Sequence, residues 1–241
     1  MRFVLIHGAW HDGSTWGDVI RYLSERGHEA YAPTLAGNGK GVDKRVSHAD
    51  CVASVVNYVR AHDLTDFVLV GHSYGGTIIA KAAEEIPERI RRLVFFVAFV
   101  LPDGGSLTDE VSPQGREQFA QLAAQSPDGT VMLPFDRWHR DFIHDADETL
   151  ARAAYERLSP QPFRPMDEQL DLKRFYRLNI PKSYLYCTGD LGPGDDEQHR
   201  WHPRQSSRLG NFRLVTMPGS HEVMFTNPRG LAEKLIEAGR D

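Results

Sequence analysis

At 241 residues, with 25% charged and 41% hydrophobic residues and a formal net charge of −5, the chain has the make-up of one globular α/β domain with ample core. So mild a charge gives no electrostatic reason to expect nucleic acid or an anionic membrane as a partner. The longest apolar run, Leu93 to Leu101, is far short of a bilayer span, and no secretory leader is legible, so a cytoplasmic protein is expected. Two cysteines, Cys51 and Cys187, make no disulfide framework.

Arg2 to Ile6 reads as the first strand and is followed by His7-Gly8-Ala9-Trp10. Thr15 to Arg26 carries Trp16, Val19, Ile20 and Leu23 at helical spacing and stops at Gly27. His28 to Ala32 is the second strand, and the glycine-rich Pro33 to Gly41 is expected to be a surface loop near the site mouth. Ser47-His48-Ala49-Asp50 is a capping box opening a helix over Val52 to Ala61, with His48 and His62 as helix-end residues. Phe67 to Val70 is a short buried strand. Gly71-His72-Ser73-Tyr74-Gly75 comes next, and then a helix from Thr77 to Ile86, ended by Pro87.

That strand, pentapeptide and helix together fit a G-x-S-x-G nucleophile elbow, in which the serine stands on a tight turn at the sheet edge. Gly71 and Gly75 supply the space that such a turn needs, and the following helix N-terminus favours a developing negative charge. Leu93 to Val100 is a further buried strand, and strands alternating with helices argue a parallel sheet covered on both faces. From Pro102-Asp103-Gly104-Gly105 to about Leu178 this period is lost. Helices are expected there over Gln114 to Gln125 and Asp147 to Leu158. His139, Asp141, His144, Asp145 and Asp147 lack metal-ligand spacing, and His199 and His202 have no third ligand, so no metal is expected. Ser183 to Thr188 is the next strand and ends in Gly189-Asp190. A helix is expected within Gln198 to Leu209. Asn211 to Met217 is the last strand, with Pro218-Gly219-Ser220-His221-Glu222 as its exit loop. Asn227-Pro228 opens a C-terminal helix.

The elbow and the His7-Gly8-Ala9-Trp10 loop resemble the α/β-hydrolase superfamily, and within it the small branch of plant esterases, salicylate esterases and hydroxynitrile lyases. The resemblance runs from Phe3 to about Pro228 and is weakest in the middle. It implies a mainly parallel sheet of about six strands flanked by helices, with residues 1–102 and 179–241 as the core and 103–178 as a helical cap over the site. It also implies Ser73 as nucleophile, with the Ala9 and Tyr74 N–H groups as oxyanion donors.

The chain order of this fold, serine, acid, histidine, is met by Ser73, Asp190 and His221, each at the carboxyl end of an expected strand. His221 is the one histidine in the loop after the last strand. Thr188-Gly189-Asp190 matches the plant esterase pattern for the acid, while Asp103, Asp195 and Asp196 stay open as alternatives. Trp10, His11, Trp138, Phe142 and Phe163 are the expected pocket residues. Four readings of the activity compete. A small carboxylesterase or lactonase, acting through an acyl-enzyme on a small-molecule ester and needing no cofactor, is the leading one. A hydroxynitrile lyase of this branch uses a threonine and a lysine where this chain has Gly8 and Glu222. A cofactor-free dioxygenase shares the Ser/His/Asp frame, and a hydrolase-fold receptor would bind a ligand and turn over poorly. The oligomeric state is not readable in the sequence, and a homodimer stays open.

Overall fold

The computed structural model describes residues 1–192 and 201–241. Strand β1 (Arg2–Ile6) leads through a 3-10 turn at Gly13–Trp16 into helix α1 (Gly17–Glu25) and strand β2 (Glu29–Tyr31). Helix α2 (His48–Ala61), strand β3 (Phe67–His72), helix α3 (Gly75–Glu85) and strand β4 (Ile90–Phe96) follow. The insert holds α4 (Pro113–Gln125), β5 (Thr130–Val131), α5 (Phe135–Phe142), α6 (Glu148–Tyr155), β6 (Gln161–Pro162) and α7 (Arg164–Asp167). Strands β7 (Lys182–Cys187) and β8 (Arg213–Met217) return to the core, and helices α8 (Val223–Thr226) and α9 (Pro228–Gly239) end the chain.

Six strands form one sheet in the order β2-β1-β3-β4-β7-β8, every neighbouring pair parallel. β3 lies inside it and is buried at every position, which is why its sequence is an unbroken apolar run and not an alternation. The chain steps one way from β1 to β2 and the opposite way from β2 to β3 and β4. Right-handed crossovers therefore put α1 on one face and α2 and α3 on the other. The packing agrees: α1 meets α9, and α2 meets α3. Local chemistry sets the helix starts. Ser47 and Asp50 exchange side-chain and backbone hydrogen bonds at α2, and Asn227 accepts from the Gly230 N–H at α9 with Pro228 in the first turn.

Four expectations are corrected. The fourth strand stops at Phe96 although the apolar run goes on, because Val97 turns to φ +34° and the Tyr184 hydroxyl takes over both backbone groups of Ala98. The Pro33 to Gly41 segment is no surface loop. Leu35, Asn38 and Gly39 are buried, and they bond to His7, His11, Gln161 and Ser159. The insert contains α5 and the one-turn α7 besides the two expected helices. Of the helix expected within Gln198 to Leu209, residues 198–200 lie outside the described residues, and the rest shows a 3-10 turn at Ser206–Leu209.

Candidate active site

The turn after β3 puts Ser73 in the left-handed region at φ +53°, a conformation that costs a serine roughly 1–3 kcal/mol. Its backbone is held from three sides: the N–H donates to Phe96 O at 3.2 Å, and the carbonyl accepts from Gly76 and Phe99. The flanking glycines are required by contact. A Cβ on Gly71 would lie 2.6 Å from Gly75 O, and one on Gly75 would lie 2.8 Å from His7 O. No larger residue fits either place, so the elbow pattern is a packing constraint written into sequence.

His221 and Asp190 leave the ends of β8 and β7, which are neighbours in the sheet. His221 Nδ1 lies 2.6 Å from Asp190 Oδ2, both residues are buried, and Asp190 Oδ1 accepts from the Gly192 N–H at 2.8 Å. With Nδ1 held by the carboxylate, Nε2 is the nitrogen left to exchange a proton. Burial pulls the imidazole down, but the Asp190 charge, its hydrogen bond and the charge of Glu222 outweigh this and raise it above its ordinary 6.5. Trp201 stacks on the ring with centroids 5.2 Å apart and planes 13° apart, and Phe142 meets it edge-on at 5.4 Å. His72, beside the serine, turns its Nε2 to His221 O at 3.1 Å and is itself held well below the usual histidine range, by burial first and by His221 next.

Ala9 and Tyr74 face the same cavity as Ser73, and neither backbone N–H has a partner among the described residues. Next to Ala9, Trp10 sits at φ +67° and is tied to the insert by hydrogen bonds through its N–H, its indole and its carbonyl. Its N–H donates to Gln161 Oε1 at 3.1 Å, its indole N–H to Val131 O at 3.0 Å, and its carbonyl accepts from Ser159 N at 2.8 Å. His7 holds the other end of this loop. Leu35 N–H donates to its Nε2, its Nδ1 bonds Gly8 O, and burial lowers its pKa to about 4.

The cavity, about 280 Å³, is walled mainly by apolar and aromatic side chains, among them Trp10, Phe99, Phe119, Phe142 and Trp201. Arg137, Arg140 and Asp141 add charge to its lining. Of the five expected pocket residues, Trp10 and Phe142 line it and three do not. His11 is turned away into a buried pair with Glu222. Trp138 is fully buried inside the insert against Tyr155. Phe163 is partly buried at the start of α7, packed on the core. Asp103 serves a turn of the insert, accepting from the Leu172 N–H at 2.8 Å beside Lys173. Asp195, Asp196 and His199 lie outside the described residues. His202 bonds Ser206 Oγ at 2.7 Å. Phe99 and Trp201 were not singled out by pattern. Phe99 hid in the tail of an apolar run, and Trp201 sits in a stretch with no period.

A model of the alpha/beta hydrolase family matches residues 3–234. The chain belongs to this family. Among solved structures, this hydrolase is similar to an extracellular alpha/beta-hydrolase of a Paenibacillus species, described as sharing structural and functional homology with tobacco salicylic acid binding protein 2. The TM-score is 0.97 at 40% identity, with 100% of both chains covered. It is 30% identical to a carbendazim hydrolyzing esterase of a Nocardioides species over 99% of each chain. It is 33% identical to methyl jasmonate esterase 1 of Vitis vinifera, covering 98% of this hydrolase and 95% of that protein. No helix among the described residues is long and apolar enough to cross a membrane.

Proposed function

We propose that this chain is a carboxylesterase-type serine hydrolase that cleaves a small carboxylic ester or lactone through an acyl-enzyme. In this reading Ser73 attacks the acyl carbon as His221 takes its proton. Asp190 holds the imidazole tautomer and stabilises the imidazolium. The Ala9 and Tyr74 N–H groups receive the oxyanion, each worth roughly 3 kcal/mol in the transition state. His221 then passes its proton to the departing alcohol, and water, activated by the same imidazole, releases the acid. The observation that carries the reading is the buried 2.6 Å bond between Asp190 and His221, beside a cavity lined by a strained serine and by two residues whose backbone N–H groups are unpartnered among the described residues.

Two further features support ester over cyanohydrin chemistry. A side chain at Gly8, where the lyases of this branch carry threonine, would bring its Cβ to 2.9 Å from His72 Nδ1 and 3.0 Å from Ser73 Cβ. A carboxylate, Glu222, stands where those lyases need a cation. The aromatic walls suit an aryl or alkyl ester, and relatives named for methyl ester and carbendazim hydrolysis point to a small leaving group. A panel of short acyl and aryl esters, run on wild type and Ser73→Ala beside an oxygen electrode, tests the proposal. An active-serine phosphonate should add to Ser73 and to no other residue. Turnover should vanish in Ser73→Ala. An adduct elsewhere, or oxygen uptake that survives Ser73→Ala, would overturn it.

A further inference from the structure

Glu222 follows His221 in sequence, and its side chain is buried. Its Oε1 lies 3.0 Å from His11 Nε2, and its Oε2 has no partner among the described residues. Leaving a carboxylate oxygen buried and unpaired is costly, so a charge kept there calls for a role. The partner is as telling as the burial. His11 Nδ1 meets Thr15 Oγ1 at 3.1 Å, so a neutral imidazole is satisfied at both nitrogens: Nε2–H donates to Glu222, and the threonine hydroxyl donates to Nδ1. The His11 carbonyl accepts from Asn38 Nδ2, and the Glu222 N–H donates to Phe142 O in the cavity wall. Between His7 and His11 lie Gly8, Ala9 and the left-handed Trp10. The aim of the Ala9 N–H therefore depends on both ends of this short span being pinned.

We propose that the His11–Glu222 pair is a positioning device for the hydrolysis: it registers the loop carrying Ala9 against the loop carrying His221, and its carboxylate steadies the positive charge that His221 acquires in the transition state. The inference rests on the esterase reading above. Neither residue touches the cavity, so both act through Ala9 and His221. Among the described residues, the charged and titratable groups around His221 come from separate elements: Asp190 after β7, His72 in the elbow, Glu222 in its own loop with His11 behind it, and Asp145 from the insert, bonded to Ser220 N. Asp190 is the direct partner. Glu222 adds a second negative field without competing for the Nδ1 proton, and it acts in the same direction on the imidazole.

The test compares Glu222→Gln, Glu222→Ala, His11→Phe and the Glu222→Ala/His11→Phe double variant with wild type. Thermal melts check that each is folded. Steady-state ester hydrolysis is followed across pH, and the His221 ring is titrated by NMR on histidine-labelled protein. Misplacing one oxyanion donor predicts a fall in kcat of roughly 10- to 100-fold in Glu222→Ala and in His11→Phe, with KM nearly unchanged. The double variant should be no worse than the poorer single one. Glu222→Gln keeps an acceptor for His11 and should recover most of kcat. It should also move both the acidic limb of kcat/KM and the His221 titration to lower pH. Additive losses, a rise in KM at constant kcat, or a Glu222→Gln titration that overlays wild type would each overturn the proposal. The NMR arm needs no turnover. If wild type hydrolyses no ester the functional reading fails, and the His221 titration still decides whether Glu222 acts on it.

Discussion

His48 lies in the first turn of α2 and is buried under the elbow helix, where its Nε2 lies 2.9 Å from Thr77 Oγ1. Since the Thr77 hydroxyl donates onward to Tyr74 O, the histidine is the donor in this pair and stays neutral. Burial first, and then the charge of Lys81, lowers its pKa from 6.5 to about 4. The sign follows from linkage: the unfolded chain takes up a proton as pH falls through 6.5, and the folded protein does not until about 4. The stability that His48 contributes is therefore whole above the unfolded value and is lost as pH falls between the two. Over that window the loss is about 3 kcal/mol. His7, buried and also lowered to about 4, adds a loss of similar size over the same range. Together they reach roughly half of an ordinary domain's stability of about 5–15 kcal/mol. His221 is raised, so its contribution runs the other way and is lost as pH climbs. Urea melts from pH 7.5 to pH 4 should show a steep fall in unfolding free energy below pH 6.5. His48→Gln keeps a donor toward Thr77 and removes the titration, so it should flatten that fall by about 3 kcal/mol. An unchanged slope in His48→Gln would refute the reasoning, and so would a wild-type curve level down to pH 5.

Asp190→Asn should cut ester turnover by about four orders of magnitude, as loss of a triad carboxylate does. Asp103→Asn, remote from His221, should stay within about twofold by the same steady-state assay. Gly8→Thr should reduce ester hydrolysis sharply without releasing cyanide from mandelonitrile, because the new side chain meets His72 and Ser73; cyanide release would defeat that account. Trp201→Leu removes the stacked ring and part of the cavity wall. It should shift the acidic limb of kcat/KM to lower pH, because an aromatic face favours the imidazolium, and should raise KM for aryl esters. Trp138→Phe, within the insert, should lower the melting temperature and leave ester selectivity unchanged.

What was legible in sequence is what short-range geometry dictates. Gly71, Ser73 and Gly75 must stand at fixed offsets because their backbones nearly touch His7 and each other, so the elbow shows as a local pattern. The order of Ser73, Asp190 and His221 follows from strands that end on one side of a parallel sheet. The end of β4 was misread because hydrophobicity reports burial and not conformation: Ala98, Phe99 and Val100 are buried after leaving the sheet. Helix α5 is only two turns long and rich in charge, too short for its period to stand out. Trp138 and Phe142 sit one turn apart on it, yet one packs inside the insert and the other meets His221, a choice that depends on tertiary neighbours alone. The His11–Glu222 pair joins residues at opposite ends of the chain, and no spacing rule reaches that far.

The seam between β4 and β7 joins two strands that the whole insert separates. During synthesis, Ala9, Ser73 and Tyr74 emerge with the first four strands, long before Asp190 and His221. On the esterase reading proposed above, the nascent chain holds Ser73 without its base until β7 and β8 have both docked. Over the same interval β4 presents an unpaired, strongly apolar edge, the surface most in need of shielding from other unfinished chains. Docking of β7 closes that edge and brings Asp190 into place, and β8 then brings His221, so on that reading the chain becomes catalytic only after its most aggregation-prone stage has passed.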